Sequence, residues 1–143
     1  MSIILQIILG LISGICCGCI IYCFYQSGVN TTTTHRKTDF GDVWSINATD
    51  GTLRFTIYRY DDDTDTVYLS NVFVKEESRW KGYGNAILDI VDKVAKGMGA
   101  TAICLTVEKG SFAHQWYERH GYKYLSDNDD DEFVNHIWMK KQL

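Results

Sequence analysis

Proline is absent from this chain, although its average usage in proteins is about 5%, and this absence excludes no function. An excess of basic residues, typical of nucleic-acid-binding proteins, is absent too. The 143 residues include 14 lysines and arginines against 18 aspartates and glutamates, which gives a formal net charge of −4 and a pI near 5.5. We therefore exclude a general nucleic-acid-binding role. The length and the apolar fraction of 45% are those of one modest globular domain.

Charged side chains are also missing from the start of the chain, where none precedes His35. Within this segment, residues 3–25 form a nearly continuous apolar run. As a helix the run would measure roughly 35 Å, enough to cross a hydrocarbon core of about 30 Å. A cleaved signal peptide would need a positively charged start and a shorter apolar core, and the run has neither. We predict a single transmembrane helix over 3–25.

The residues that flank this run predict its orientation in the membrane, and the segments after it are predicted to be a linker and a folded domain. No positive residue precedes the run, whereas Arg36 and Lys37 follow it, so the positive-inside rule places the remainder of the chain in the cytosol. The segment 26–39 is polar, low in complexity and without an apolar period, and we predict it to be a linker. The folded domain then covers 40–143.

Four of the five cysteines lie inside the apolar run. No histidine or carboxylate stands near them to complete a zinc site, so we interpret them as small apolar residues of the helix. The fifth, Cys104, lies in the apolar segment AICLTV and is expected to be buried. The sequence therefore predicts neither a metal site nor a disulfide framework.

The residue pattern over 40–143 predicts an α+β domain with a mixed sheet. The pair Asp50-Gly51 is a strong hairpin signal, and the short connections between the first three strands permit only antiparallel neighbours. A continuous apolar strand after the first helix suits burial on both faces and implies a parallel crossover. The predicted strands are 43–47, 53–60, 66–74, 101–107, 122–125 and 133–140, and the predicted helices are 82–96 and 111–120.

The stretch 69–86 carries the strongest functional signal. It begins with the β-favouring residues of a strand, and Gly82 and Gly84 follow where a helical apolar period starts. The first turn of a helix offers free N–H groups and the positive end of the helix dipole, which together bind anions. The dinucleotide-binding fingerprint is not met, because Ile87 stands where its third glycine should be.

Two motifs give this part of the chain a family resemblance. The pattern L-x-x-V-x-V-x-x-x-x-R-x-x-G-x-G, which begins at Leu69, resembles the acyl-CoA motif of the GNAT superfamily of N-acetyltransferases. The run from Ala113 to Tyr122, A-x-x-W-Y-E-R-H-G-Y, is similar to the second motif of that family. The resemblance implies a GNAT-like acyl-CoA N-acyltransferase fold, abbreviated at its N-terminus because two helices that usually precede the second family strand are missing.

The resemblance also implies acetyl-CoA as co-substrate and an amine as acceptor, which could be a small molecule, a polyamine, or a protein lysine or N-terminus. Strand backbone would pair with the pantetheine amides, and the glycine turn would hold the pyrophosphate. The family's usual asparagine after the next strand is replaced here by Gly110 or Ser111, which bears on the affinity for the coenzyme. The residues implied to bind acetyl-CoA are Val72, Phe73, Val74, Arg79, Trp80, Lys81, Gly82, Tyr83, Gly84, Asn85 and Gly110.

Tyr117 occupies the position of the tyrosine that, in the family, protonates the departing thiolate. A phenol with a pKa of about 10 is a suitable proton donor to a thiolate. The alternative is that Tyr117 packs in the core with Ala113 and Trp116. No general base can be identified from the sequence.

Taken together, the sequence predicts a membrane-anchored N-acetyltransferase that needs no metal. The acidic loops 61–65 and 127–132 are either solvated or attract a cationic amine. The rival hypothesis is a non-catalytic acyl-CoA-binding or interaction module that is held at a membrane.

Overall fold

The computed structural model describes residues 29–143. The predicted transmembrane helix 3–25 lies outside the described residues, as does the start of the predicted linker. Within 29–143, none of the helices has the length and apolarity needed to cross a membrane. The strands are β1 (Thr31–Lys37), β2 (Gly41–Ala48), β3 (Leu53–Tyr60), β4 (Asp63–Val74), β5 (Ala102–Glu108), β6 (Lys123–Asp127) and β7 (His136–Gln142), and the helices are α1 (Tyr83–Gly97) and α2 (Phe112–Arg119).

The seven strands form one mixed sheet in the order β1-β2-β3-β4-β5-β7-β6. Among the described strands, only β4 and β5 pair in parallel, and α1 makes the crossover between them. All other neighbours are antiparallel. The predicted α+β class and its mixed sheet are confirmed.

Strand β1 corrects the predicted linker 26–39. Thr31–Lys37 pairs with β2 along its whole length. The linker prediction was wrong here because β1 lies at the edge of the sheet with most side chains exposed, so it needs no alternation of apolar residues. The four threonines at 31–34 are β-branched and favour extended backbone by themselves. The chain passes from β1 to β2 through 38–40 without a helix.

The hydrophobic core lies between the sheet and α1, which packs against β3, β4 and β5. The apolar residues of α1 recur at the predicted helical spacing, and each fully buried aliphatic side chain contributes about 1.5–3 kcal/mol. The buried residues of the helix are Ile87, Leu88, Ile90, Val91, Val94 and Ala95. The facing strands contribute Phe55, Ile57, Val67, Leu69, Ile103 and Leu105.

Two strands begin three residues away from their predicted starts. Strand β4 begins at Asp63 rather than 66, because Tyr60 already pairs with Asp63 and the turn between β3 and β4 is tight. Strand β7 begins at His136 rather than 133. A short 3-10 helix at Asp131–Phe133 and a left-handed Asn135, with φ of 67°, come before it.

A bulge in β4 opens the sheet. Two β4 residues, Asn71 and Val72, stand opposite the single β3 residue Phe55, and Asn71 has a φ of 53°. On its other side, β4 pairs with β5 up to Tyr68 and no further. The two strands therefore diverge, and the edge of β4 from there to Val74 has no β5 partner.

Candidate active site

A groove of about 600 Å³ lies at the carboxyl end of β4, between the loop that leads into α1 and one face of α2. Its volume is in the range of ligand-binding sites. It brings together nine of the eleven residues implied to bind acetyl-CoA, namely Val72, Phe73, Val74, Arg79, Trp80, Gly82, Tyr83, Gly84 and Asn85. Sequence reasoning did not assign a binding role to the other lining residues, which are Ser78, Phe112, Ala113, Trp116, Arg119 and His120.

The amino end of α1 supplies free N–H groups to this groove. The first helical bond runs from the Ala86 N–H to the Gly82 carbonyl oxygen at 3.0 Å, so the N–H groups of 83–85 have no helical acceptor. Gly82, the N-cap, has no side chain to satisfy them and adopts a left-handed φ of 86°. Trp80 is also left-handed, with φ of 64°, which is uncommon for a bulky residue. This backbone suits an anion.

Positive charge surrounds the same N–H groups. The Nε of Arg79 donates to the carbonyl oxygen of Val74 at 3.1 Å, which holds the guanidinium at the end of β4 and leaves its terminal nitrogens available. Arg119 lines the groove from α2, and no carboxylate is among the lining residues. Lys81, by contrast, is exposed and lies outside the lining.

Gly84 allows α2 to approach the start of α1. A Cβ at this position would stand 3.0 Å from Cζ2 of Trp116, closer than carbon atoms normally approach. The ring of Trp116 in turn lies 5.0 Å from that of His120, between centroids. The second glycine of the motif therefore serves the packing of the two motifs against each other as well as lining the groove.

Two exposed aromatic rings of the groove lining contact each other edge to face. The centroids of Trp80 and Phe112 are 5.6 Å apart with an interplanar angle of 72°, and the two residues are 89% and 62% exposed. The guanidinium carbon of Arg119 lies 5.9 Å from the centroid of Phe112. Large exposed apolar side chains beside a groove are typical of a binding site.

His120 is a groove residue for which sequence reasoning assigned no role. Its Nδ1 lies 2.7 Å from the carbonyl oxygen of Trp116, and its Nε2 lies 3.0 Å from Oδ1 of Asn85. The pair joins the carboxyl end of α2 to the amino end of α1. No sequence signal predicts it, because the two residues are 35 positions apart and belong to different motifs.

A family model described as the acetyltransferase (GNAT) domain matches residues 46–143. The chain belongs to this family. The match confirms the resemblance drawn from the two motifs, and with it the class of enzyme, an acyltransferase. No curated protein sequence gave a significant match.

Solved structures share the fold of this GNAT domain. A GNAT family acetyltransferase from Elizabethkingia anophelis with acetyl-CoA bound has a TM-score of 0.60 at 13% identity, over 79% of this chain and 98% of that chain. The PaiA N-acetyltransferase from Thermoplasma acidophilum in complex with coenzyme A has a TM-score of 0.59 at 20% identity, over 71% and 61%. An acyl-CoA N-acyltransferase from Pseudomonas aeruginosa has 0.58 at 18%, over 71% and 69%. At such identities the likeness shows the fold, and it confirms the predicted GNAT-like fold for the described residues.

Tyr117 of this GNAT domain lies beside the groove and does not line it. The residue is 7% exposed, and burial raises the pKa of its hydroxyl to about 12. Its ring centroid is 4.9 Å from that of Trp116 and 5.4 Å from that of Tyr122. The structure therefore places Tyr117 in the core packing that the sequence left open as the alternative, one residue from the groove wall.

Gly110 lies in the turn between β5 and α2, outside the groove lining. Its φ of 80° is left-handed, and its N–H donates to Nδ1 of His114 at 3.0 Å. Ser111 is the N-cap of α2, where its side chain accepts from the His114 N–H. These residues shape the turn that begins α2.

A second cavity, of about 650 Å³, lies at the opposite end of β4. Aspartates make up most of the polar lining of this cavity. The charge of one of them, Asp61, is already neutralised, since Nζ of Lys37 lies 2.6 Å from its carboxylate. In residues 29–143 no group of three His, Cys, Asp or Glu side chains is placed to hold a metal ion, so these carboxylates are not arranged as metal ligands. The cavity is lined by Asp39, Asp61, Asp62 and Asp63, with the rings of Phe40, Tyr60 and Tyr68.

Proposed function

We propose that this protein transfers an acetyl group from acetyl-CoA to an amine. The observation that carries the proposal is the divergence of β4 from β5, which leaves a free strand edge that leads to the groove and its free helix N–H groups. An extended ligand with amides along one part and a phosphate at its end fits this arrangement. The similar structures from Elizabethkingia anophelis and Thermoplasma acidophilum hold acetyl-CoA and coenzyme A.

The coenzyme would lie with its pyrophosphate at the N–H groups of 83–85 and the guanidinium of Arg79. Its pantetheine amides would pair with the edge of β4. Successive N–H groups of a strand point to opposite sides. The Lys75 N–H donates to the Thr52 carbonyl oxygen on the β3 side, at 2.8 Å. The Val74 N–H therefore points the other way, into the gap between β4 and β5. That N–H is the candidate donor to the oxyanion.

The reaction would begin with the lone pair of a neutral amine attacking the thioester carbonyl carbon. A C–N bond forms, the carbonyl oxygen becomes an oxyanion, and collapse of the tetrahedral intermediate breaks the C–S bond. The attacking nitrogen, which is positively charged after the C–N bond forms, releases its extra proton to solvent. The departing thiolate takes a proton, for which we propose Tyr117, and the phenolate of Tyr117 regains its proton from solvent. With its pKa raised to about 12, this hydroxyl stays protonated at neutral pH and can serve as a donor.

The acceptor would be a small amine, a polyamine, or a protein lysine or N-terminus. The carboxylates and aromatic rings of the second cavity favour a cationic molecule on that side of the sheet. Tyr68 lies next to both the second cavity and the gap between β4 and β5, because it lines the cavity and is the last β4 residue that pairs with β5.

The test is thiol release from acetyl-CoA in the presence of a panel of such amines, alongside calorimetric binding of coenzyme A. Turnover with at least one amine is expected. The position of Tyr117 outside the lining favours a second candidate function, a non-catalytic acyl-CoA-binding module. Coenzyme binding without turnover across the panel would support that alternative, and absence of binding would refute both.

We also propose that residues 3–25 anchor the protein in a membrane as a single-pass helix, with the domain in the cytosol. The support is the charge-free apolar run and the positive residues that follow it. Protease digestion of sealed vesicles, followed with an antibody to the carboxyl terminus, tests the orientation, and extraction with alkaline carbonate tests the anchor. Protection of the domain in inside-out vesicles would contradict the orientation, and release by alkaline carbonate would contradict the anchor.

A further inference from the structure

Both ring nitrogens of His120 contact a polar atom. Nδ1 is 2.7 Å from the carbonyl oxygen of Trp116. A carbonyl oxygen only accepts hydrogen bonds, so Nδ1 carries a proton whether the ring is neutral or charged. The state of Nε2, 3.0 Å from the side chain of Asn85, is therefore the one that changes when the ring titrates.

This change determines how the amide of Asn85 is turned. The amide has an oxygen on one side and an NH2 group on the other, and a half-turn of its last torsion exchanges them. When Nε2 is protonated it donates to Oδ1, the amide atom that lies 3.0 Å from it, and the NH2 group is left for the groove that Asn85 lines. When the ring is neutral, Nε2 accepts, the NH2 group turns toward it, and the oxygen is left for the groove.

The groove beside the pair carries cationic side chains. The other titratable side chains that line the groove are Arg79 from the loop before α1, Tyr83 from α1 and Arg119 from α2. The nearest carboxylate along the helix, Glu118, lies 3.3 Å from Nε2 of His114 and does not line the groove. An anion in the groove would meet a donor at Asn85 in one state of His120 and an acceptor in the other.

We propose that His120 is a positioning residue that, when protonated, turns the NH2 group of Asn85 toward the phosphates of the bound coenzyme. The proposal rests on the proposed function, because it requires a phosphate ligand in this groove. It makes the affinity for the coenzyme higher when His120 is protonated than when it is neutral, and therefore higher at low pH than at high pH.

The ligand for the test is 3′-dephospho-coenzyme A. Its pyrophosphate diester stays ionised, whereas the phosphate monoester of coenzyme A itself titrates at a pH of about 6. The dissociation constant is measured by calorimetry on the full chain at a pH of about 5.5 and of about 8. We expect the affinity for 3′-dephospho-coenzyme A to be about tenfold higher at the lower pH, which corresponds to the contribution of one hydrogen bond to a charged group.

Three variants separate positioning from a structural role. His120→Gln and Asn85→Ala should each lose the pH dependence, and the double variant should bind no more weakly than the weaker single one. His114→Gln removes a histidine of the same helix that does not line the groove, so it should keep the full dependence. A merely structural contact would instead weaken binding by the same factor at both pH values.

A second readout needs no ligand. In the free protein, the NMR signals of the Asn85 side-chain NH2 group should titrate in the wild type and stay constant in His120→Gln. If they do not titrate, or if His120→Gln binds with undiminished pH dependence, the positioning role is overturned while coenzyme binding stands. If the wild type binds at neither pH, the proposed function is refuted and the positioning role with it.

Discussion

The indole of Trp116 covers Gly84 so closely that a Cβ at position 84 would stand 3.0 Å from its Cζ2 and 3.4 Å from its Cη2. We predict that Gly84→Ala lowers the free energy of unfolding by about 1–3 kcal/mol, because the rigid ring or the start of α1 must move. Urea denaturation measures the loss.

The control for Gly84→Ala is Gly97→Ala, at the last residue of the same helix, where a Cβ would meet nothing within 4 Å. It should be neutral or stabilising by up to about 1 kcal/mol. Trp116→Phe, with a smaller ring, should recover part of the loss when combined with Gly84→Ala. Equal stability of the two alanine variants would show that the close contact carries no energetic weight.

Tyr117→Phe should lower the turnover number by about 10²-fold or more, the usual share of a general acid, with coenzyme affinity unchanged. Because burial raises the pKa of Tyr117 to about 12, its hydroxyl remains protonated well above neutral pH. The wild-type rate should therefore show no alkaline decline from this group up to a pH of about 11. Steady-state kinetics across pH test both statements.

Tyr122→Phe is the matched control for Tyr117→Phe. Tyr122 is buried next to Tyr117, and its hydroxyl has no hydrogen-bond partner in the described part of the chain, so its removal should leave the rate unchanged. Full turnover in Tyr117→Phe would rule out the proposed acid.

Arg79→Gln should weaken coenzyme A binding about tenfold, since it removes a charge-assisted contact to phosphate. It also removes the Nε donor to the Val74 carbonyl oxygen. Lys81→Gln carries the same change of charge two positions on, outside the groove lining, and should change the affinity less than about twofold. Calorimetry compares the two, and an equal loss from both would mean that charge alone, without position, attracts the coenzyme.

Asp42→Asn should reduce stability at neutral pH by about 0.5–1 kcal/mol. Asp42 on β2 bonds to His35 at 2.7 Å and to Lys37 at 3.3 Å, both on β1. Burial opposes its charged form, but the hydrogen bonds from His35 and Lys37 outweigh this and lower the pKa of the carboxyl. A lowered folded-state pKa gives stability that is present above the unfolded value of 3.8 and lost as the pH falls through the folded value.

The stability difference between wild type and Asp42→Asn should accordingly shrink in acid below a pH of about 3.8. Urea unfolding at several pH values follows it. Asp129→Asn, in the exposed loop before β7, is the control and should have no effect at any of them. A constant difference down to strong acid would show that the charge of Asp42 is not what β1 depends on.

The sequence predicts best what repeats locally. Strand β3 was predicted with the bounds that are observed, 53–60, and α1 to within one residue at each end, because apolar periodicity and the flanking glycines determine both. Strand β1 was missed because an exposed edge strand buries too little to show a period. The prediction of an anion site at the glycine turn rests on local backbone chemistry alone.

Contacts between motifs could not be predicted in the same way. The approach of Trp116 to Gly84 and the bond between His120 and Asn85 depend on how α2 is set against α1. That placement follows from the packing of the whole sheet. The burial of Tyr117 could not be predicted for the same reason. Its position on the helix was predicted, but the side of α2 on which the groove lies was not.

The short parallel ladder between β4 and β5 has a mechanical consequence. It spans only Thr66 to Tyr68 of β4, yet among the described strands it is the sole strand pairing between the half-sheet β1–β4 and the half-sheet β5–β7–β6. Local opening should therefore begin along this line, where few hydrogen bonds must break. A ligand whose amides pair with the free edge of β4 would add hydrogen bonds at the weakest junction of the sheet. A ligand in the groove would thus make the two half-sheets move as one rigid body.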